Sequence, residues 1–247
     1  LFFGENLMHN VVNKFQLNQE RRSKILNFLA DGEYWTTAEN VKLLLAVNQI
    51  TYARRLLNSM CNDGIISKKN ISFGGKLSQN FYLITQDGLD FLGCDERLKD
   101  IKLSYQTAHH NENVQKLKII ALTLCDGWKS EIQLKRECDF ASYPDSLLTI
   151  NNIKISIELQ RNIYNRASFE KKISKVLRDI YSNNFDKILY ICCDNLKSVE
   201  LKKLFQTINF VKNSRFEDVI LQAKDKEKFS FIDFENFEEH IKNENNF

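Results

Sequence analysis

The sequence predicts a mixed α+β chain of two domains, residues 1–97 and 98–247. Three observations lead there. Three helical periods in succession are followed by two apolar runs, with Gly74-Gly75 between them. Further on, Asn151-Asn152 separates two β-type runs, and a basic helical stretch then leads to a third run over 187–193. Between these halves, at 98–103, the periodicity lapses as it does in a linker.

The first domain reads in order. Ile25, Leu26, Phe28 and Leu29 stand at helical spacing over 21–29. Thr36 or Thr37 is a natural N-cap, with Glu39 or Asn40 three residues on, and opens a helix to about residue 45. A short turn at 46–49 precedes a third helix over 49–61, whose apolar face is Ala53, Leu56, Leu57 and Met60. Gln49, Thr51, Tyr52, Arg54, Arg55 and Asn58 are left for the outer face, and such side chains bond phosphates and base edges when a helix enters the major groove. Asn62-Asp63-Gly64 ends this helix. Residues 65–66 start a strand and 81–84 return it, with Lys68, Lys69 and Lys76 near the tip of the hairpin. Thr85-Gln86-Asp87-Gly88 caps a last short helix over 89–92. Three helices and a basic hairpin in this order resemble the winged helix-turn-helix domain.

In the second half, 108–124 is strongly periodic, with Val114, Leu117, Ile120, Ala121 and Leu124 expected inside and His109-His110 at its start. The run 143–150 carries the only proline, Pro144, followed by Asp145. After the Asn-Asn turn comes a strand over 153–160 containing Glu158 and Gln160. A basic helix over 167–182 holds Lys171, Lys172, Lys175 and Arg178, and a helix over 196–205 follows the strand 187–193. The segments 210–216 and 229–234 are expected to add an edge strand.

Composition narrows the function classes. Hydrophobic residues at 43% and charged residues at 27% belong to a globular chain. The longest apolar runs, such as 188–193, are far too short to cross a bilayer, and the first residues lack the pattern of a signal peptide, so a cytoplasmic chain with no membrane partner is expected. The six cysteines form no C-x-x-C pair, which argues against zinc and for reduced structural thiols. The net charge of +3 is unevenly spread: residues 50–84 carry +4, 148–215 carry +7, and 216–247 carry −5. Two basic regions suit a nucleic-acid partner.

Pro144-Asp145, a gap, and then Glu158-x-Gln160 on the next strand resemble the PD-(D/E)xK nuclease core. That resemblance implies a restriction-endonuclease-like α/β domain in which Asp145 and Glu158 hold Mg²⁺, with Glu131 as a further helix acid. Gln160 stands where the family has lysine. A neutral amide can position water but does not stabilise hydroxide by charge, so an inactive core with no cofactor is the leading expectation. Glu158, in an otherwise apolar strand, then needs a partner such as Lys172 or Arg178, while His109 and His110 are helix-start residues or reach the same cleft.

The layout as a whole resembles the replication-relaxation proteins and the MobC-type accessory proteins of plasmid mobilisation. The matching residues are His110 with Asn113-Val114, Trp128 with Glu131, 144–148 and 157–160. The resemblance implies a relaxosome component that binds double-stranded DNA beside a relaxase, with homodimerisation open, and helps to bend or melt the duplex. Two other functions fit the same residues: a Mg²⁺-dependent endonuclease using Asp145, Glu158 and Gln160, and a winged-helix transcription regulator.

Overall fold

The computed structural model describes residues 3–72, 78–98, 103, 105–163, 165–212 and 217–245. The chain is a mixed α+β protein that divides into two units, Leu1–Lys116 and Leu117–Phe247. The division falls inside a helix, some way beyond the 97/98 boundary that the lapse in periodicity suggests.

The first unit begins with α1 (Phe3–Phe28), far longer than the 21–29 segment legible in the sequence. Leu29–Glu33 forms a kinked turn in which Gly32 takes φ +82°, a left-handed geometry glycine enters at no steric cost. A three-residue strand, β1 (Trp35–Thr37), follows. Thr37 then caps α2 (Ala38–Leu44), its hydroxyl accepting the Asn40 N–H at 3.3 Å. Next come α3 (Ile50–Asn62), β2 (Ile66–Ser72) and β3 (Ser78–Ile84). The three strands make an antiparallel sheet in the order β1-β3-β2. The Gly74-Gly75 turn and Lys76 lie outside the described residues.

Buried apolar side chains hold the arrangement. Ile25 and Leu26 of α1, Val41 of α2, and Leu57 and Met60 of α3 are fully buried, and Ile84 of β3 nearly so. Phe81 of β3 packs in a cluster with Trp35 and Ala108. Trp35 meets Phe81 edge-on at 5.1 Å. Thr85 caps α4 (Gln86–Phe91) by accepting the Gly88 N–H at 3.1 Å. Gly88 faces the chain of β2's entry so closely that a Cβ would lie 2.2 Å from the Ile65 carbonyl oxygen.

The helix α5 (Tyr105–Ala121) carries its first residues into this unit through a buried polar network. The Asn40 amide donates to the Glu112 carbonyl (3.1 Å) and to Gln115 Oε1 (3.0 Å). Gln115 in turn donates to the Trp35 carbonyl at 2.6 Å, and the Thr37 hydroxyl donates to the Glu112 carboxylate at 2.9 Å. Asn40 and Gln115 are both wholly buried, so each donor needs its partner.

The second unit is a five-stranded mixed sheet in the order β10-β7-β6-β5-β4. Here β4 (Gly127–Ser130) leads into α6 (Glu131–Glu137), and β5 (Ser146–Ile150) pairs antiparallel with both β4 and β6 (Ile153–Gln160). Asn151 and Asn152 take φ +49° and +65°, the two left-handed residues of a tight hairpin turn. The helix α7 (Arg166–Tyr181) crosses over to β7 (Lys187–Cys192), which lies parallel to β6. After α8 (Ser198–Gln206), a separate hairpin of β8 (Phe210–Lys212) and β9 (Asp218–Ile220) forms a two-stranded sheet. The short α9 (Ala223–Lys226) then leads to β10 (Phe229–Asp233), the parallel edge strand beside β7, and to α10 (Phe237–Asn245). Only the second of the two late segments therefore joins the main sheet.

Aromatic side chains fill the space between this sheet and its helices. Tyr190 of β7 stacks on Phe231 of β10 at 5.3 Å, and Phe205 of α8 lies 4.7 Å from Phe229. Phe169 of α7 meets Tyr190 edge-on at 5.7 Å. All six cysteines are free, and burial pushes the Cys192 thiol up to about 12. Among the described residues no helix is long and apolar enough to cross a membrane.

Replacing Gly88 by Ala drives a methyl group into the Ile65 carbonyl. The expected loss is about 1–3 kcal/mol, read as a lower urea midpoint with an unchanged slope. An unchanged midpoint would show that the α4–β2 seam gives way freely.

Candidate functional site

Two sets of residues carry chemistry, one in each unit. In the first, α3 is divided by its own period. Ala53, Leu56, Leu57 and Met60 are buried, and Thr51, Arg54, Arg55 and Asn58 are exposed on the other side. Gln49 is exposed at the N-cap and makes no side-chain cap. Lys68 and Lys69 are exposed on β2, directly after the turn that follows α3. Among the described residues, none of Arg54, Arg55, Lys68 and Lys69 forms an ion pair. The nearby acid of this segment, Asp63, is taken by Arg22 of α1. Four cations without acidic partners on one helix and the neighbouring strand leave a positive field unneutralised.

Tyr52 departs from this set. It is half-buried and its hydroxyl accepts from Arg21 at 2.7 Å and donates to Asn18 at 3.0 Å. The Arg21 guanidinium also lies over its ring, 4.8 Å from the centroid. Tyr52 therefore fixes α3 to α1 rather than standing free on the outer face.

In the second unit, the sheet register brings the three sequence-selected acids together at one end. The Glu131 N–H donates to the Asp145 carbonyl at 3.1 Å, and the Asp145 N–H donates to the Ile157 carbonyl at 3.1 Å. Continuing the β5–β6 register by one step places Asp145 opposite Glu158. Their carboxylates, however, are held by other groups. Glu158 Oε1 lies 2.6 Å from Lys172 Nζ of α7, with both side chains largely buried, and Lys172 also donates to the Ser142 hydroxyl at 3.0 Å. Asp145 Oδ2 accepts the Leu159 N–H at 2.7 Å. Glu131 pairs with Lys135, one helical turn on, at 2.6 Å, and is half-buried.

Gln160 is two residues past Glu158 and so shares its face of β6, but its amide donates to the Asn162 carbonyl. Arg161 pairs with Asp194. Arg178, the other candidate partner for Glu158, is exposed on α7 and leaves that role to Lys172.

A divalent cation asks for several convergent hard oxygens. Among the described residues no group of three or more His, Cys, Asp or Glu is placed to hold a metal ion. Asp145 and Glu158 are held by the Leu159 N–H and by Lys172, so a cation at this point would have to displace those partners. His109 and His110 belong to the first unit, where His109 Nδ1 lies 3.3 Å from the Asn113 amide.

The sequence reading missed Ser142, which shares Lys172 with Glu158. It lies in an irregular segment before the proline, and no periodicity marks it. Asp179 was missed as well. It is buried and its carboxylate accepts the Ala141 and Ser142 N–H groups at 2.7 and 3.1 Å, pinning that segment to α7. Set beside known proteins, the chain matches no family model and no curated sequence.

Removing the cation from a buried pair leaves an uncompensated charge. Lys172→Met is expected to cost about 3–5 kcal/mol, and adding Glu158→Leu to recover most of it. Urea unfolding of the two single variants and the double variant gives the coupling, and strictly additive losses would contradict it.

Proposed function

We propose that the chain is a double-stranded DNA-binding protein, with its first unit acting as a winged helix and its second as a PD-(D/E)xK-like domain without working hydrolysis. The observation that carries this reading is the outer face of α3. Arg54 and Arg55 are exposed without ion pairs, Thr51 and Asn58 flank them, and Lys68 and Lys69 extend the same basic character along β2. The topology supports it: helix, short strand, two helices and a hairpin, with strand order β1-β3-β2, is what a winged helix requires. In this reading α3 enters the major groove, Asn58 and the arginines meet base edges, and the β2 lysines hold the phosphate backbone.

The PD-(D/E)xK reading of the second unit rests on the sheet order, the α7 crossover and the succession of Glu131 at the start of α6, Asp145 just before β5 and Glu158 on β6. Gln160, standing where the family has lysine, supports the inactive reading. The resemblance to replication-relaxation and MobC-type proteins then assigns an accessory role at a plasmid origin. Such a role needs binding and deformation of DNA, and no bond cleavage.

A second reading, a metal-dependent endonuclease, is favoured by the same juxtaposition of Glu131, Asp145 and Glu158. Lys172 stands beside Glu158 where a cation is wanted.

Fluorescence anisotropy with a labelled duplex tests the proposal. The wild type is expected to bind with an affinity that falls steeply with salt. The Arg54→Ala, Arg55→Ala double variant should bind at least tenfold more weakly, with a log–log salt slope shallower by about 1–2. Undiminished binding by the double variant would contradict it. Supercoiled plasmid should stay closed in Mg²⁺ and in Mn²⁺, and nicking abolished by Asp145→Ala would establish the endonuclease instead.

A further inference from the structure

The +7 segment of the sequence runs from the end of β5 through β6, α7, β7 and α8 to β8, and much of its charge is neutralised there. Arg166 pairs with Glu170, Lys172 with Glu158, Lys187 with Glu244 and Lys212 with Asp218. Lys171, Lys175 and Arg178 are different. All three are exposed on one face of α7, spaced four and three residues apart, and none forms an ion pair among the described residues. At 1.5 Å per residue this row is about 10 Å long.

Beside it lies a groove of about 690 Å³ between α7 and the β8–β9 hairpin, lined mainly by apolar atoms. Tyr181, Phe210, Val219 and Ile220 contribute to its wall while remaining 65%, 49%, 43% and 74% exposed. Large side chains this open, clustered at one place, mark a surface built for a partner. The groove's two acids are already engaged: Glu170 pairs with Arg166, and Asp225 accepts the Tyr181 hydroxyl and the Gln222 N–H. Its remaining charge is therefore positive.

We propose that this groove binds single-stranded nucleic acid, with Lys171, Lys175 and Arg178 on the phosphates and bases packed against Phe210 and Tyr181. A row of cations bordering exposed aromatics is the combination a single strand uses, because it offers a charged backbone and flat apolar faces together. A duplex keeps its bases stacked inside and would use the cations alone, leaving the aromatic wall in water. A peptide of acidic residues alone would likewise satisfy the cations but brings no ring faces. The site lies wholly in the second unit and does not depend on the α3 reading.

Anisotropy of a fluorescein-labelled oligothymidylate with the full chain tests the site. The wild type should bind it, and the Lys171→Glu, Lys175→Glu, Arg178→Glu triple variant should lose at least tenfold. Phe210→Leu, which keeps an apolar side chain in β8, should lose about five- to a hundredfold through stacking alone. The Arg54→Ala, Arg55→Ala variant should keep its oligothymidylate affinity even where its duplex binding falls, which separates this site from the α3 face. No binding by the wild type, or binding untouched by the triple variant, would overturn the proposal. So would a triple-variant loss with no Phe210→Leu effect and full displacement by oligoglutamate, which would mark a docking face for acidic protein.

Discussion

Burial of one stripe of α3 is the constraint on which the first unit turns. Leu57 and Met60 have no exposure, and α3 packs against α2 and β2. A helix of 3.6 residues per turn cannot hide that stripe without displaying the opposite one. The cations at Arg54 and Arg55 are therefore outside as a consequence of the core. Tyr52, at the margin between the two faces, is drawn onto α1 by Arg21 and Asn18. The turn after α3 and the antiparallel register of β2 with β3 then place Lys68 and Lys69 on the same hairpin that closes the core through Ile66 and Ile84.

The second unit is governed by a different requirement, the cost of a carboxylate in the middle of a sheet. Glu158 is 7% exposed, and a lone buried charge there would destabilise the fold by several kcal/mol. Lys172 answers it from α7, and the Ser142 hydroxyl takes a further lysine proton. One helix thereby does two jobs. Its inner face buries Phe169, Ile173 and Val176 against the sheet and neutralises Glu158, and its outer face presents the unpaired row Lys171, Lys175 and Arg178. Lys171, Lys172, Lys175 and Arg178, four basic residues of one helix that a charge count does not distinguish, end in two different environments because the helix sorts them by angle.

What the sequence made legible follows from the range of the forces involved. The α3 period, the Thr37 and Thr85 caps and the Asn151-Asn152 turn are local, and each was readable within a few residues. The part of α1 before residue 21 does carry an apolar period, Leu7-Met8, Val11-Val12 and Phe15 at four-residue steps, which the helix assigned to 21–29 left out. The strands β1 and β4, at three and four residues, are too short to show alternation. Long-range partners were the least visible. That Glu158 needed a cation was evident from its apolar strand, but the choice between Lys172 and Arg178 depends on the phase of α7 against the sheet. The bonds from Asn40 to Glu112 and Gln115 span more than seventy residues and leave no local trace. The acids Asp145, Glu158 and Glu131 were legible as a group because strand register carries them to one end of the sheet. Their engagement by Leu159, Lys172 and Lys135 was not.

The outer face of α3, with the adjoining strand β2, is the surface proposed to meet duplex DNA. Amide hydrogen exchange of the full chain with and without a saturating duplex addresses it most directly, since it reports each segment without altering a residue. Added protection is expected in peptides covering residues 49–62 and 66–72. Protection absent from both segments and confined to the second unit would contradict it.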